Sequence, residues 1–86
     1  MLESTNALLA AITAVLREMK RCQLLLDSGS LGEAEEEELG PFVDQLHEAF
    51  ADLSTVYESR RSEHSKLISL AALRARVAAE PTQGVV

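Results

Sequence analysis

The sequence predicts an all-α protein, an antiparallel helical hairpin with a long second helix that dimerises into a four-helix bundle. Three observations predict this class. Apolar residues recur in steps of four and three in two separate stretches, the spacing of helices that pack along one seam. Residues 41–80 contain no proline or glycine after Pro41. The apolar content rests on Ala, Leu and Val, with 3% aromatic residues and no Trp, which is typical of helix-on-helix packing.

The first helix is predicted over residues 5–27. The preceding Ser-Thr-Asn at residues 4–6 offers good N-cap residues, one of which should begin the helix. Six apolar residues then follow at heptad spacing: Leu8, Ile12, Val15, Met19, Cys22 and Leu26. This seam predicts a helix that packs against a partner along its whole length.

A turn is predicted over residues 27–32, which contain two glycines and two serines. Ser30 and Glu33 fit a capping box, so a helical turn should restart there. The glutamates at residues 35–38 then lie where negative charge complements the helix dipole. Because Pro41 is tolerated only in the first turn of a helix, we expect residues 31–39 to form a separate short acidic helix or a kinked start.

The second long helix is predicted over residues 41–80, followed by a disordered tail at 81–86. Its seam has the same spacing as the first: Leu39, Val43, Leu46, Phe50, Leu53 and Tyr57. Tyr57 should end the seam with its hydroxyl in water. The seam then fails at Arg60 and His64 before apolar residues return.

If the two seams pair antiparallel, the start of the first helix lies level with about residue 62 of the second. At ~1.5 Å per residue, about 18 helical residues then extend past the first helix without a partner in the chain. Three coverings are open. The helix could break near residues 59–65 and fold back as a third helix, the overhang could pack against its copy, or a different protein could occupy it.

Both seams carry extra apolar residues beyond what one partner helix could cover. Leu9 and Leu16 widen the first seam on one side, and Ala11 and Leu25 widen it on the other. The second seam is widened by Phe42, Ala49 and Val56. The surplus predicts a dimer or a protein partner.

The same alignment places three pairs of opposite charges at matching levels: Arg17 with Glu48, Arg21 with Asp44, and Glu3 with Arg60 or Arg61. Such exposed pairs are worth ~0–1 kcal/mol each, so they select the register more than they stabilise it.

Composition excludes several functions. The formal charge is −6 with a pI near 4.8, whereas proteins that bind nucleic-acid backbones need clustered Lys and Arg. We expect no membrane insertion, because no stretch reaches ~20 apolar residues, and a cytoplasmic location, because no signal-peptide pattern begins the chain. One domain over residues 1–80 is expected from the length.

No catalytic, cofactor-binding or metal-binding residues are predicted. Cys22 lies on an apolar helix face and is interpreted as a small core residue. His47 and His64 lack metal-ligand spacing, and the glutamate run lacks the pattern of a calcium loop. A histidine phosphotransfer domain is a further alternative, since His64 would lie mid-helix beside basic residues. A polar residue that fixes coiled-coil register is the commoner explanation for a histidine at this position.

A helix of about 22 residues, an acidic Gly/Ser turn and a longer helix with a basic, polar middle resemble the small helical-hairpin chaperones and co-chaperones of bacterial flagellar and type III secretion systems. The resemblance rests on size, acidity and the two seams. It implies a cytoplasmic protein that shields an aggregation-prone helical segment of a secreted or assembling subunit. It carries over no functional residue.

The predicted function is a non-enzymatic interaction module, adaptor or chaperone-like, that binds a helical partner or its own copy through apolar helix faces. The alternative is a purely structural homo-oligomeric bundle. The predicted interface has two parts, the overhang and a second apolar edge: Leu67, Leu70, Leu73 and Val77, and Leu9, Leu16, Phe42 and Val56.

Overall fold

The protein folds into three α-helices, described by a computed structural model for residues 4–64 and 66–81. The helices are α1 (Thr5–Ser28), α2 (Glu33–Arg61) and α3 (Leu70–Ala79). The predicted all-α class is confirmed, and the described residues contain no strand. The principal extents of the molecule are 46 × 25 × 20 Å.

Helix α1 corresponds to the helix predicted over residues 5–27. The Ser4 hydroxyl accepts a hydrogen bond from the Ala7 N–H at 3.0 Å and caps the first turn. The helix ends at Gly29, whose φ of 71° lies in the left-handed region that glycine adopts without strain. The four residues between the helices then reverse the chain, and α2 packs against α1.

Helix α2 runs continuously through Pro41, so of the two alternatives predicted for residues 31–39, a separate short helix or a kinked start, the separate helix is wrong. Pro41 cannot donate to the Glu37 carbonyl, but Glu37 is exposed and water can replace that bond. Gly40 has no Cβ to clash with the proline ring. The seam residues Leu39 and Val43 flank this point, and both are half-buried.

The start of α2 also differs from the predicted capping box of Ser30 and Glu33. The helix begins after Gly32, whose N–H donates to the Glu35 carboxylate at 3.0 Å. Only the glutamate half of a capping box forms here, two residues further along the chain, because Gly32 has no side chain to cap the helix in return. Two further acidic residues, Glu33 and Glu36, lie in the same first turn and complement the helix dipole.

The predicted continuous helix over residues 41–80 is wrong, because α2 ends at Arg61 and the chain folds back. The N–H groups of Glu63 and His64 bond to carbonyls three residues earlier, at 3.0 and 3.1 Å, which tightens the last turn. Ser69 then caps α3 by accepting from the Ala72 N–H at 3.1 Å. Folding back gives α3 an apolar surface to pack against, which a straight helix would lack.

The core lies where α3 meets α1 and α2. It consists of one cluster of buried side chains: Leu8, Ile12, Leu16, Tyr57, Leu73 and Val77. Burying an aliphatic side chain of this size is worth about 1.5–3 kcal/mol, which favours the folded-back helix over an exposed overhang. Cys22 is also fully buried, as the sequence predicts for a core residue.

Tyr57 ends the seam of α2, but its hydroxyl does not reach water as the sequence predicts. The side chain is 0% exposed, and the hydroxyl donates to the Ile68 carbonyl at 2.7 Å. This bond fixes the connection between α2 and α3 just before α3 begins.

Two cations of α1 hold the far end of α3. The Lys20 ammonium donates to three carbonyls at the helix end, those of Val77, Ala78 and Glu80, at 3.0, 3.2 and 2.6 Å, and the Val77 carbonyl also accepts from the Glu80 N–H at 3.1 Å. The Arg17 guanidinium bonds both oxygens of the Glu80 carboxylate at 2.9 and 2.7 Å. Because α3 starts beside the end of α2 and finishes at Lys20, it runs parallel to α1.

These contacts overturn two predicted ion pairs. Arg17 pairs with Glu80 instead of Glu48, because α3 approaches the side of α1 on which Arg17 lies. Arg21 pairs with Glu18 on its own helix instead of with Asp44. Glu3, which is predicted to pair with Arg60 or Arg61, lies outside the described residues. Residues 82–86 of the predicted tail also lie outside them.

Candidate interaction surface

The structure divides the predicted interface residues into two groups. Leu16, Leu73 and Val77 are buried in the core, and Leu9, Leu67 and Leu70 are half-buried and packed against it. The remaining two, Phe42 and Val56, are 38% and 44% exposed. Six of the eight side chains thus pack within the chain, because α3 folds back, which is one of the three coverings that the sequence leaves open.

Helix α3 covers only one side of the hairpin. It packs on the side of α1 that carries Leu9 and Leu16, and the Arg74 guanidinium lies 5.3 Å from the centre of the Phe50 ring on α2. At 100° per residue, Ala11 and Leu25 lie on the other side of the α1 seam. That side of the hairpin faces away from α3.

We call this uncovered side the open face. Its members are apolar, half-buried or exposed, and belong to both long helices: Ala11, Leu25, Phe42, Ala49 and Val56. Two antiparallel helices bound a shallow groove along it, which is the shape that a further helix packs into.

On α2, the open face forms a straight stripe. Phe42, Ala49 and Val56 are seven residues apart and therefore lie one above another along about 21 Å of helix, at ~1.5 Å per residue. The smallest side chain lies at the centre, where it lets another helix approach closely. The larger Phe42 and Val56 flank it and are the exposed ones.

Charge is distributed unevenly along the same helix. The first turn carries Glu33, Glu35 and Glu36, and the last turn carries Arg60 and Arg61. Between residues 27 and 58 the sequence has ten acidic residues and neither Lys nor Arg. The open face therefore has an acidic end near the α1–α2 turn and a basic end near the start of the connection to α3.

The candidate chemical groups are engaged in the fold or lie apart from one another. Burial raises the pKa of the Cys22 thiol, with Glu18 acting in the same direction, so the thiol stays protonated. Burial likewise raises the pKa of the Tyr57 hydroxyl, which is already a hydrogen-bond donor. Within the described ranges, no three residues among His, Cys, Asp and Glu are placed to hold a metal ion together.

His64 does not lie mid-helix as the phosphotransfer alternative requires. It is exposed and follows the end of α2, where its carbonyl accepts from the Leu67 N–H at 3.2 Å. The reason is the early end of α2 at Arg61. His47, the other histidine, is exposed on α2.

The groove between α1 and α3 is shallow and lined by Leu16, Lys20, Arg74, Val77 and Ala78. Its ammonium group is already bonded to the α3 carbonyls. It lacks the concavity and the convergent polar groups of a small-molecule site.

Sequence reasoning noted Ala11, Leu25 and Ala49 as widening the seams but did not include them in the predicted interface. The signal for Ala49 is its seven-residue spacing from Phe42 and Val56, and the signal for Ala11 and Leu25 is their spacing of two heptads on one side of α1. The predicted interface took Phe42 and Val56 from this side, together with Leu9, Leu16 and the apolar residues after residue 66 that the chain itself covers.

Across the part of the chain that the structure describes, every helix is too short or too polar to cross a bilayer. Comparison of the chain with protein-family models, curated proteins and solved structures finds no match. The open face is therefore the feature of this structure on which a functional proposal rests.

Proposed function

We propose that this protein is a non-enzymatic interaction module, adaptor or chaperone-like, that binds a helical protein segment on the open face. The observation that carries the proposal is the one-sided covering of the hairpin. α3 buries the Leu9 and Leu16 side, whereas Phe42 and Val56 on the other side stay exposed. Exposed apolar residues aligned along one groove are typical of a protein-binding surface.

A helix fits this surface better than a strand or a loop. The groove is bounded by two parallel walls, and its apolar contacts repeat every seven residues, the spacing that an amphipathic helix presents to a partner. The open face has no unpaired strand edge, which is what an extended peptide would need.

The proposal keeps the shielding role that the resemblance to bacterial secretion chaperones implies, but it assigns that role to a different surface. The sequence assigned the shielding surface to residues after 66, but Leu73 and Val77 are buried against α1. In the proposed function, the open face shields the partner helix. A cytoplasmic location belongs to the same proposal.

A homodimeric four-helix bundle is the second candidate. It is favoured by the matched spacing of apolar residues on α2, which suits a helix packed against its own copy. In that case two hairpins join through their open faces, and the two α3 helices lie outside.

The test is position-dependent photo-crosslinking in the cells that make the protein. A photoreactive amino acid replaces Phe42 on the open face in one variant. In the matched control it replaces Glu48, which is exposed and lies about 120° around α2 from Phe42, outside the open face.

Because only the open face contacts the partner, the Phe42 variant should give one discrete protein adduct and the Glu48 variant none. Equal labelling from both positions, or no adduct from Phe42, would refute the proposal. An adduct of twice the chain mass would identify the partner as a second copy.

A further inference from the structure

We infer that the open face is occupied by a second copy of this chain, packed antiparallel so that the two α2 helices cross at Ala49. The inference rests on the proposed function, since it names the partner of the same surface. It is drawn from the register of apolar and charged residues along α2.

The apolar stripe is symmetric about its centre. Phe42 and Val56 both lie seven residues from Ala49, on opposite sides. A twofold axis through Ala49 therefore places Phe42 of each copy level with Val56 of the other. In such an interface one patch must complement itself, and here an exposed aromatic side chain meets an exposed aliphatic one at both ends.

Ala49 lies where the two helices would approach most closely. Its methyl group is the smallest side chain of the stripe, and the residue is already half-buried. The separation of packed helices depends on the side chains at the contact, so alanine at the crossing permits a short distance between the helix axes. The flanking Phe42 and Val56 then reach the second copy on either side.

Charge selects the antiparallel orientation. Glu38 and Arg60 lie eleven residues before and after Ala49, so the same axis places each beside the other in the second copy. The acidic first turn of one α2 likewise meets the basic last turn of its partner. A parallel arrangement would bring the two acidic starts together, which opposes association.

The folded-back α3 does not obstruct this assembly. It contacts α1 through Leu73 and Val77 on the covered side, and Arg17 and Lys20 hold its end there. Two hairpins can thus pack open face to open face. The four long helices form the common core, and each α3 remains on the outside.

The first test is the solution mass of the full chain, measured by light scattering after size exclusion. At about 100 µM, an interface with a Kd near 1 µM is mostly formed, so the mass should be twice the 9.4 kDa of one chain. A monodisperse monomer would overturn the inference.

Two matched substitutions locate the interface. Ala49→Glu should raise the dimer Kd about a hundredfold or more, because two carboxylates are buried at the crossing. Ala51→Glu makes the same change 200° around α2 at an exposed position, and the dimer should persist. Circular dichroism should show the same helix content in both variants, and a dimer that survives Ala49→Glu would overturn the inference.

The register is tested without relying on a destabilising change. Chains with Phe42→Cys and Val56→Cys are prepared separately and oxidised alone or as a mixture. The antiparallel register predicts disulfide dimers only in the mixture, because Cα atoms must come within about 7 Å to be bridged. The buried Cys22 makes the unsubstituted chain a control for background oxidation.

Disulfides formed by each variant alone would show parallel pairing and overturn the register. The failures of the two proposals are distinguishable. If the chain is monomeric while Phe42 crosslinks to a different protein in cells, the interaction module remains and the second copy is excluded as its partner. If the chain is monomeric and the Phe42 variant gives no adduct, both proposals are refuted.

Discussion

The hydrogen bond from Tyr57 to the connection between α2 and α3 permits a direct test of what holds the third helix in place. Tyr57→Phe keeps the fully buried ring and removes only the hydroxyl, which donates to the Ile68 carbonyl at 2.7 Å. The substitution leaves no cavity larger than one oxygen atom. It therefore isolates one polar contact between two segments.

The expected cost follows from the environment of the acceptor. A buried hydrogen bond contributes about 0.5–1.5 kcal/mol net, and an acceptor left unsatisfied costs about 1–3 kcal/mol. Since Ile68 is half-buried, water can reach part of its surroundings, and we expect a loss of about 1–2 kcal/mol. For a domain of this size, that corresponds to a fall of about 4–15 °C in Tm.

The same group gives the protein a specific alkaline response. Burial raises the pKa of the Tyr57 hydroxyl above its ordinary value of 10.0; Arg61 opposes the shift and Glu58 adds to it. A raised pKa means that the folded state retains a proton that the unfolded state releases. The stability that the group provides is fully present below pH 10 and is lost as the pH rises through the folded pKa.

Chemical denaturation followed by circular dichroism measures both effects. Tyr57 is the only tyrosine in the sequence, so the ultraviolet absorbance of tyrosinate reports its titration directly. Tyr57→Phe should be less stable at neutral pH and lose less stability above pH 10 than the unsubstituted chain. Equal unfolding free energies at neutral pH, within about 0.3 kcal/mol, would refute the assigned role of the bond.

Three further outcomes follow from the ends of the helices. Gly29→Ala should cost about 1 kcal/mol in denaturation, because Gly29 has a φ of 71° in the left-handed region that alanine adopts only with strain; unchanged stability would contradict this reason. Lys20→Met should make the last α3 amides exchange about tenfold faster, since three carbonyls at the helix end lose the ammonium group that bridges them, and unchanged exchange would show that Lys20 does not hold the helix end. The hydrogen bond from Arg17 lowers the pKa of the Glu80 carboxyl below 4.5, so its contribution is present above that pH and lost as the pH falls through the folded pKa; the protection factors of the α3 amides, which correct for the intrinsic exchange rate, should fall there, and Glu80→Gln should abolish that acid dependence.

The sequence predicts the hairpin well because its determinants are local. The 4-3 spacing of apolar residues specifies one buried side for α1, and Gly29 supplies the left-handed residue at its end. Continuity through Pro41 could not be predicted in the same way. It depends on the surrounding fold: α2 packs against α1, and Leu39 and Val43 on either side of the proline are half-buried.

The end of α2 at Arg61 could not be predicted from local sequence either. Residues 58–66 contain no glycine or proline, so no local signal requires a break. Two features do mark it: the apolar seam stops after Tyr57, and Ser69 is a good N-cap residue for a new helix. These two features indicate a helix end only together with a tertiary contact, the hydrogen bond from Tyr57 to Ile68 where the chain reverses.

The eight-residue connection between α2 and α3 decides which apolar surface remains for a partner. Without it, Leu73 and Val77 would extend past the end of α1 and need a second chain to cover them. With it, the chain satisfies that surface itself on the side of Leu9 and Leu16, through the contacts that Arg17 and Lys20 complete. The same rearrangement cannot cover the opposite side, because ten residues of α3 can lie on only one side of the hairpin. Folding within the chain therefore covers the apolar surface after residue 66 and leaves Phe42 and Val56 on the open face exposed, which is where we propose that association occurs.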